Sequence, residues 1–252
     1  MQNIGSGTNY MEKEWFSHWF DSPYYHILYQ NRDDDEAQLF IDKLSEFLGF
    51  LPEHQIMDLA CGKGRHSIYL NQKGFNVTGL DLSPQSIEYA QQFANERLHF
   101  HVHDMRDFFA EREFDFVLNM FTSFGYLANE SENIKAFQSA ARSLKKGGRF
   151  VLDFFNTPLV IRELVSYEIK SIEGIDFEIR KRHENGCIIK NIDFEAEKHH
   201  YHFQERVEAI CQESFLRYFS SAGLTLKHLF GNYLLEPYQA ESSSRMIFIL
   251  EK

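Results

Sequence analysis

Apolar residues in the first two thirds of the chain fall into short runs separated by glycine turns and amphipathic stretches. Gln55-Ile56-Met57-Asp58-Leu59 is one such run, and it leads into glycines. Phe75 to Leu80, Leu98 to Val102, Phe114 to Met120 and Arg149 to Phe155 are four more. Near-continuous apolar runs of this length, bounded by turns, are what strands buried on both faces of a parallel sheet require. Between the second and third runs, Ser83-Pro84 opens a helix, serine as N-cap and proline in the first helical position. Ile87, Ala90 and Ala94 then recur at helical spacing. A further helix is predicted from about Asn133, with Ile134, Phe137, Ala141 and Leu144 on one face and Lys145-Lys146-Gly147 as its stop. Strand alternating with helix predicts a doubly wound α/β sheet.

After residue 158 the pattern changes. Tyr167 to Ile210 reads as strands without a convincing helix, and Asn185-Gly186 between two apolar-polar runs is a hairpin signal. A helix follows near Gln212 to Ala222, closed by Gly223, and two strands end the chain, Leu224 to Phe230 and Arg245 to Leu250. Residues 1–158 and 211–252 are therefore assigned to one α/β core, and 159–210 to an inserted antiparallel β unit. Placed there, the insert is expected to act as a lid over the carboxyl ends of the parallel strands, where α/β sheets bind ligands.

Composition narrows the partners. The formal net charge of −11 over 252 residues disfavours a phosphate-tracking surface, so no nucleic acid is expected. No apolar stretch approaches the roughly 20 residues needed to span a bilayer, so no membrane partner is expected. The N-terminus shows no secretory signal. Three cysteines without CxxC spacing argue against a disulfide framework or a cysteine-built metal site, and a cytoplasmic location fits. The 25 phenylalanines read as core.

Candidate chemistry concentrates at the strand ends. In Asp58-Leu59-Ala60-Cys61-Gly62-Lys63-Gly64 a strand runs through a GxG turn into a helix, which lets the backbone approach a ligand closely and presents helix N–H groups to it. Asp81 ends the second strand, 19 residues after Gly62, where an acid can accept ribose hydroxyls. Asp104 follows the third strand. Three acids at the carboxyl ends of successive strands, beside the glycines, point to an adenosine-type cofactor. His99, His101 and His103 alternate along the third strand, and they read as a polar strand face rather than a metal site; no metal is expected.

These segments resemble the motifs of class I S-adenosylmethionine-dependent methyltransferases: the Asp58–Gly64 turn, Gly79-Leu80-Asp81-Leu82-Ser83, Asp104-Met105-Arg106-Asp107, and Phe114 to Met120. Gly147-Gly148-Arg149-Phe150 and the terminal strand pair fit the same family. Asp104-Met105-Arg106-Asp107-Phe108 and Met120 to Leu127 are similar to the small-molecule branch, amino-sugar N,N-dimethyltransferases and relatives. The resemblance implies a Rossmann-like seven-stranded methyltransferase sheet with helices on both faces and S-adenosylmethionine as cofactor. It also implies roles: Asp58 for the methionine amino group; Ala60, Gly62 and Gly64 along the methionine portion; Asp81 for the ribose; Leu82 packed on adenine; Asp104 and Met105 at the adenine edge; Asn119 and Met120 beside the sulfonium. Tyr25 and Arg32 are contact candidates in an N-terminal segment that resembles a cofactor cover.

The expected reaction is methyl transfer to a small-molecule acceptor, an amine among the candidates. Since an amine must be neutral to attack, His199, His200, Tyr201, His202, Tyr233 and Tyr238 are candidate proton acceptors, His199, His202 and Tyr233 first among them. The insert also offers a surface for a homodimer. No NPPY-type motif is present, which disfavours nucleobase methylation. Two other readings stay open: an NAD-dependent oxidoreductase, disfavoured because Ser67 stands where a dinucleotide fingerprint has its third glycine or alanine, and a non-catalytic module that binds S-adenosylmethionine.

Overall fold

The apolar runs become a seven-stranded sheet in the computed structural model, which describes residues 19, 22–29, 34–127 and 129–252 (26 and 34 in backbone only). In chain order the elements are α1 (Pro23–Tyr29), α2 (Asp34–Leu48), β1 (Gln55–Leu59), α3 (Arg65–Gln72), β2 (Asn76–Asp81), α4 (Pro84–Ala90), β3 (Leu98–Val102), β4 (Phe114–Asn119), α5 (Glu130–Ser143), β5 (Leu144–Phe155) and α6 (Thr157–Arg162). They continue with β6 (Tyr167–Ile172), β7 (Ile175–Glu184), β8 (Cys187–Ala196), β9 (His199–Glu208), α7 (Gln212–Ser221), β10 (Thr225–Phe230) and β11 (Arg245–Glu251). The large sheet has the order β10-β11-β5-β4-β1-β2-β3. β1 to β5 are parallel, and β11 runs antiparallel to both of its neighbours.

Period-two alternation divides this sheet between two layers. Ile56, Val77, Phe116, Leu118, Val151, Ile247 and Ile249 pack with Phe40, Ile41 and Leu44 of α2 and Leu70 of α3. On the other side, Phe150, Phe154 and Phe248 meet Phe137 of α5 and Phe215 and Phe219 of α7 in edge-on and tilted ring pairs. The abundant phenylalanine is thus largely core, and several of these rings are fully buried.

Helix boundaries follow the N-caps rather than the apolar spacing. Ser83 caps α4 by accepting from Ser86 N, with Pro84 at its start. The helix stops at Ala90, however, and the chain tightens into a 3₁₀ turn over Gln91–Phe93, so Ala94 is extended and exposed. α5 starts at Glu130, earlier than Asn133, because Asn129 caps it by accepting from Glu132 N. Leu144 is not on its face: φ −72° and ψ 140° make it the first residue of β5. Lys145-Lys146-Gly147 therefore lies inside that strand, where β4 to β5 register shifts by an irregularity.

Contacts divide the chain into two units. The larger comprises Asp33–Glu163 and Glu208–Lys252. Where the chain leaves and re-enters it, Thr157 Oγ1 donates to Ile210 O (2.6 Å), Asn133 Nδ2 to Glu208 Oε2 (2.7 Å) and Glu208 N to Gly125 O (2.7 Å). The smaller comprises Leu164–Val207 and the described residues of Met1–Arg32. It is a four-stranded sheet, β6-β7-β8-β9, and Asn185-Gly186 makes the expected two-residue turn with φ 50° and 72°. One face carries Phe177, Ile179, Ile192 and Phe194 against Trp19 and Leu28. There the Glu205 carboxylate accepts from Trp19 Nε1 (2.6 Å) and Tyr29 Oη (2.6 and 2.9 Å). Among the described residues no helix is long and apolar enough to cross a membrane.

Candidate cofactor site

The turn after β1 is shaped by backbone conformations that its sequence makes affordable at only two of three positions. Ala60, Gly62 and Gly64 all have positive φ, at 63°, 55° and 81°. Ala60 does so with a Cβ, a strain of about 1–2 kcal/mol that such turns carry where they face a ligand. The two glycines answer to different demands. A Cβ on Gly64 would stand 2.7 Å from the Phe100 ring, whereas one on Gly62 would meet no atom within 4 Å. Gly64 is thus required by packing, and Gly62 keeps the open side of the turn clear. Phe100 from β3 also fills the space beside Gly79 of β2, so one ring seats both strand and turn.

Asp81 ties this turn to β2. Its Oδ2 accepts from Gly62 N (2.8 Å) and its Oδ1 from Ser83 N (2.8 Å), while Cys61 N donates to Leu80 O (3.0 Å). Leu82, next along, is 46% exposed, an apolar side chain presented beside the acid. Asp104 lies after β3 and holds Arg106: Oδ1 accepts from Arg106 N (2.9 Å) and Nε (2.8 Å), Oδ2 pairs with Nη2, and Arg106 Nη1 reaches Glu132 (2.7 Å). Met105, between them, is half-buried.

Asp58 is buried in β1, and Ser67 Oγ donates to its Oδ2 (2.6 Å). Ser67, itself fully buried, therefore stands at the third fingerprint position as a partner for this acid. Burial, chiefly, and then the nearby Asp81 charge push the Asp58 carboxyl up to about 6, against the lowering influence of Ser67 and Arg65. The folded chain keeps this proton to about pH 6, whereas an ordinary aspartate releases it near 3.8. Stability consequently falls as pH rises through that window, by roughly 3 kcal/mol in full above it. Relative to Asp58→Asn, the ligand-free wild type should lose about 5 °C of melting midpoint between pH 5 and 7.5. Thermal melts of both proteins check this, and parallel pH profiles would refute it.

Asn119 ends β4 with its side chain fully buried; Nδ2 donates to Leu59 O (2.8 Å). Its Oδ1 is one of two buried side-chain polar atoms without a hydrogen-bond partner among the described residues. An orphaned buried acceptor costs about 1–3 kcal/mol, and here it adjoins the β1 turn. A cofactor bringing a hydrogen-bond donor would satisfy it, and one bringing an ammonium group would suit Asp58. Met120 is buried, and Phe121 and Thr122 then take φ 57° and 59°, a second strained, non-glycine turn. Nothing in the sequence pattern flagged that turn, nor Asp153, whose carboxylate accepts from Phe121 N (2.7 Å).

The remaining candidates are placed elsewhere. Tyr25 belongs to the smaller unit, edge-on to Trp19 (5.5 Å) and against Tyr29 (4.8 Å). Arg32 lies outside the described residues. His199 and His202 are exposed on β9, with His199 Nδ1 2.9 Å from Glu197 O and His202 Nδ1 2.7 Å from Asp193 Oδ1. His200 is exposed, 3.8 Å from the same carboxylate, and Tyr201 stacks on Phe194 (5.1 Å). Tyr233 donates to Asp153 Oδ2 (3.2 Å), and burial with the Asp153 charge drives its hydroxyl far above the usual range, which keeps it protonated. Tyr238 donates to Asn156 Oδ1 (3.0 Å), and burial raises it too. His101 and His103 pack on Phe109 (5.3 and 5.2 Å). Among the described residues no group of three or more ligand side chains could hold a metal ion.

Residues 56–148, which contain this site, match the family model of a methyltransferase domain. The chain is 40% identical over 107 residues to YqeM of Bacillus subtilis (strain 168), named as a methyltransferase; the match spans 41% of this chain and 43% of that protein. It is 26% identical over 216 residues to a dTDP-3-amino-3,4,6-trideoxy-α-D-glucopyranose N,N-dimethyltransferase of Streptomyces venezuelae, 82% of this chain and 91% of that one. Among solved structures, an S-adenosylmethionine-dependent methyltransferase from Clostridium acetobutylicum superposes with a TM-score of 0.75 at 19% identity, covering 94% of this chain and 97% of that chain. Streptomyces venezuelae DesVI superposes with 0.66 at 26% identity, covering 90% and 96%. Residues 56–148 carry a methyltransferase domain, and the chain as a whole is similar to S-adenosylmethionine-dependent methyltransferases, amino-sugar methyltransferases among them.

Proposed function

We propose that this S-adenosylmethionine-dependent methyltransferase methylates the nitrogen of a small polar amine. The observation that carries this reading is the extent of the likeness to the Streptomyces venezuelae sugar N,N-dimethyltransferase, which runs through 82% of the chain. The shorter likeness to human glycine N-methyltransferase, 32% identical over 130 residues, also concerns an amine acceptor.

The cofactor supplies a methyl group already activated on a sulfonium, so the chain's own work is binding, alignment and exclusion of water. Asp58 takes the methionine ammonium, Asn119 lies beside the sulfonium, and Gly62 leaves room for the methionine portion. Asp81 accepts from the ribose, Leu82 covers one adenine face, and Asp104 and Met105 bound its edge. Met120 stands at the transferring end. The amine lone pair attacks the methyl carbon as the sulfur–carbon bond breaks, and the nitrogen then loses its proton. Tyr233 is unsuited to receive it, being held protonated against Asp153. The exposed His199 and His202 have no assigned part in this step, and solvent takes the proton.

Incubation with S-adenosylmethionine and a panel of amines, from glycine to amino-sugar nucleotides, tests the proposal by S-adenosylhomocysteine release and acceptor mass. Gain of a methyl group on nitrogen is expected. Turnover only on hydroxyl or carbon acceptors would reject the amine, and cofactor binding without turnover on any class would favour a non-catalytic module.

A further inference from the structure

Two consecutive residues other than glycine, Phe121 and Thr122, hold left-handed conformations at the end of β4. Such a pair persists only where its surroundings over-determine it. Here the surroundings centre on an ion pair, to which Tyr233 also donates through its hydroxyl (3.2 Å to Asp153 Oδ2). Asp153, with no exposed surface, accepts from Phe121 N through Oδ2 (2.7 Å) and from Thr122 N through its backbone oxygen (3.1 Å). Arg245, 17% exposed at the start of β11, donates from Nε to Asp153 Oδ1 (2.7 Å) and from Nη2 to Thr122 Oγ1 (2.9 Å). The Phe121 ring that this turn presents stacks on His66 (4.8 Å, 22°) and Tyr233 (5.1 Å, 29°), with the Arg65 guanidinium carbon 5.0 Å from its centre. Arg65 and His66 directly follow the Ala60–Gly64 turn, so the clamp is built against the wall of the cofactor site.

We propose that Asp153 and Arg245 are positioning residues which set the transferring end of the site and, as a charge-balanced pair, let it discriminate S-adenosylmethionine from S-adenosylhomocysteine. This rests on the methyltransferase reading, specifically on Met120 marking the transferring end. The two ligands differ there by one methyl group and one positive charge on sulfur. Balanced, the pair adds little net field at that sulfur. Asp153→Asn leaves the guanidinium with only the carboxylate of Glu36 on α2 as counter-charge, at longer range, so the residual positive charge opposes the sulfonium and spares the neutral thioether. Arg245→Gln leaves an uncompensated carboxylate, with the opposite preference. At an effective dielectric of about 20, one unit charge at about 10 Å from another changes such a ratio by roughly tenfold.

Calorimetric titration at pH 8 with both ligands tests this on the wild type, Asp153→Asn, Arg245→Gln and the double variant. Relative to the wild type, the affinity ratio of S-adenosylmethionine to S-adenosylhomocysteine should fall about tenfold in Asp153→Asn and rise in Arg245→Gln. It should return to within about threefold in the double variant. Equal losses for both ligands in every variant, the outcome of a purely structural pair, would overturn the proposal, as would a shift of the same sign in both single variants. Circular dichroism establishes folding first; if Asp153→Asn does not fold, the ratio in Arg245→Gln and the double variant decides. A wild type that binds neither ligand defeats the cofactor reading itself, and the proposal with it.

Discussion

Gly64→Ala is expected to destabilise the protein by roughly 2–5 kcal/mol and to weaken cofactor binding as a consequence. Two costs combine: a left-handed alanine at φ 81°, about 1–2 kcal/mol, and a methyl group forced to within 2.7 Å of the Phe100 ring, about 1–3 kcal/mol. The ring cannot retreat easily, because Phe100 is buried and also lies against Gly79. Gly62→Ala separates these effects. It meets no neighbouring atom, so it should lose only the backbone part, about 1–2 kcal/mol, while intruding on the open side of the turn and lowering affinity more steeply. Chemical denaturation and titration of both variants check the contrast. If Gly62→Ala proves the less stable of the two, the division of labour between these glycines is wrong.

Asp81→Asn should lower affinity for S-adenosylmethionine by about 100-fold, the worth of charge-assisted hydrogen bonds to a ribose, with the fold retained. Asparagine is the less disruptive change because the two Asp81 carboxylate oxygens receive Gly62 N and Ser83 N separately, and the one amide oxygen of asparagine can still accept from one of them. Alanine would free both amides and confound loss of a ligand contact with loss of the turn. Titration beside a denaturation curve reads the two separately, and unchanged affinity in folded Asp81→Asn would remove this residue from the ribose site.

The sheet was legible because buried parallel strands are apolar throughout and end at turns. β1 and β3 begin and end where the runs do, and the Asn185-Gly186 hairpin follows from the left-handed conformations those residues tolerate. Helix ends were legible only through caps: Ser83 marked α4 correctly, whereas Asn129 was overlooked and a basic pair before Gly147 was mistaken for a stop. Ala94 shows the limit of spacing alone, since a small residue continues a helical pattern on paper after the backbone has left the helix.

In the candidate site, spacing to strand ends is what singles out Asp58, Gly62, Gly64 and Asp81. Their internal partners carry no such signal. Ser67 serves Asp58, Phe100 dictates Gly64, and Asp153 with Arg245 holds the turn after β4. Each is a contact between segments distant in sequence, or a conformation that ordinary residues adopt only under constraint, and neither leaves a local pattern. The candidate bases illustrate the converse: His200 and His202 gather around Asp193, an arrangement that a polar strand face makes without reference to catalysis.

Most depends on the β1 turn being an adenosyl-methionine site rather than a dinucleotide site. Calorimetric titration of the wild type with S-adenosylmethionine, S-adenosylhomocysteine and NAD in parallel tests this directly. Binding of both adenosyl ligands in the micromolar range, about −8 kcal/mol, with no heat from NAD, is the predicted result. Binding of NAD with no response to either adenosyl ligand would contradict it.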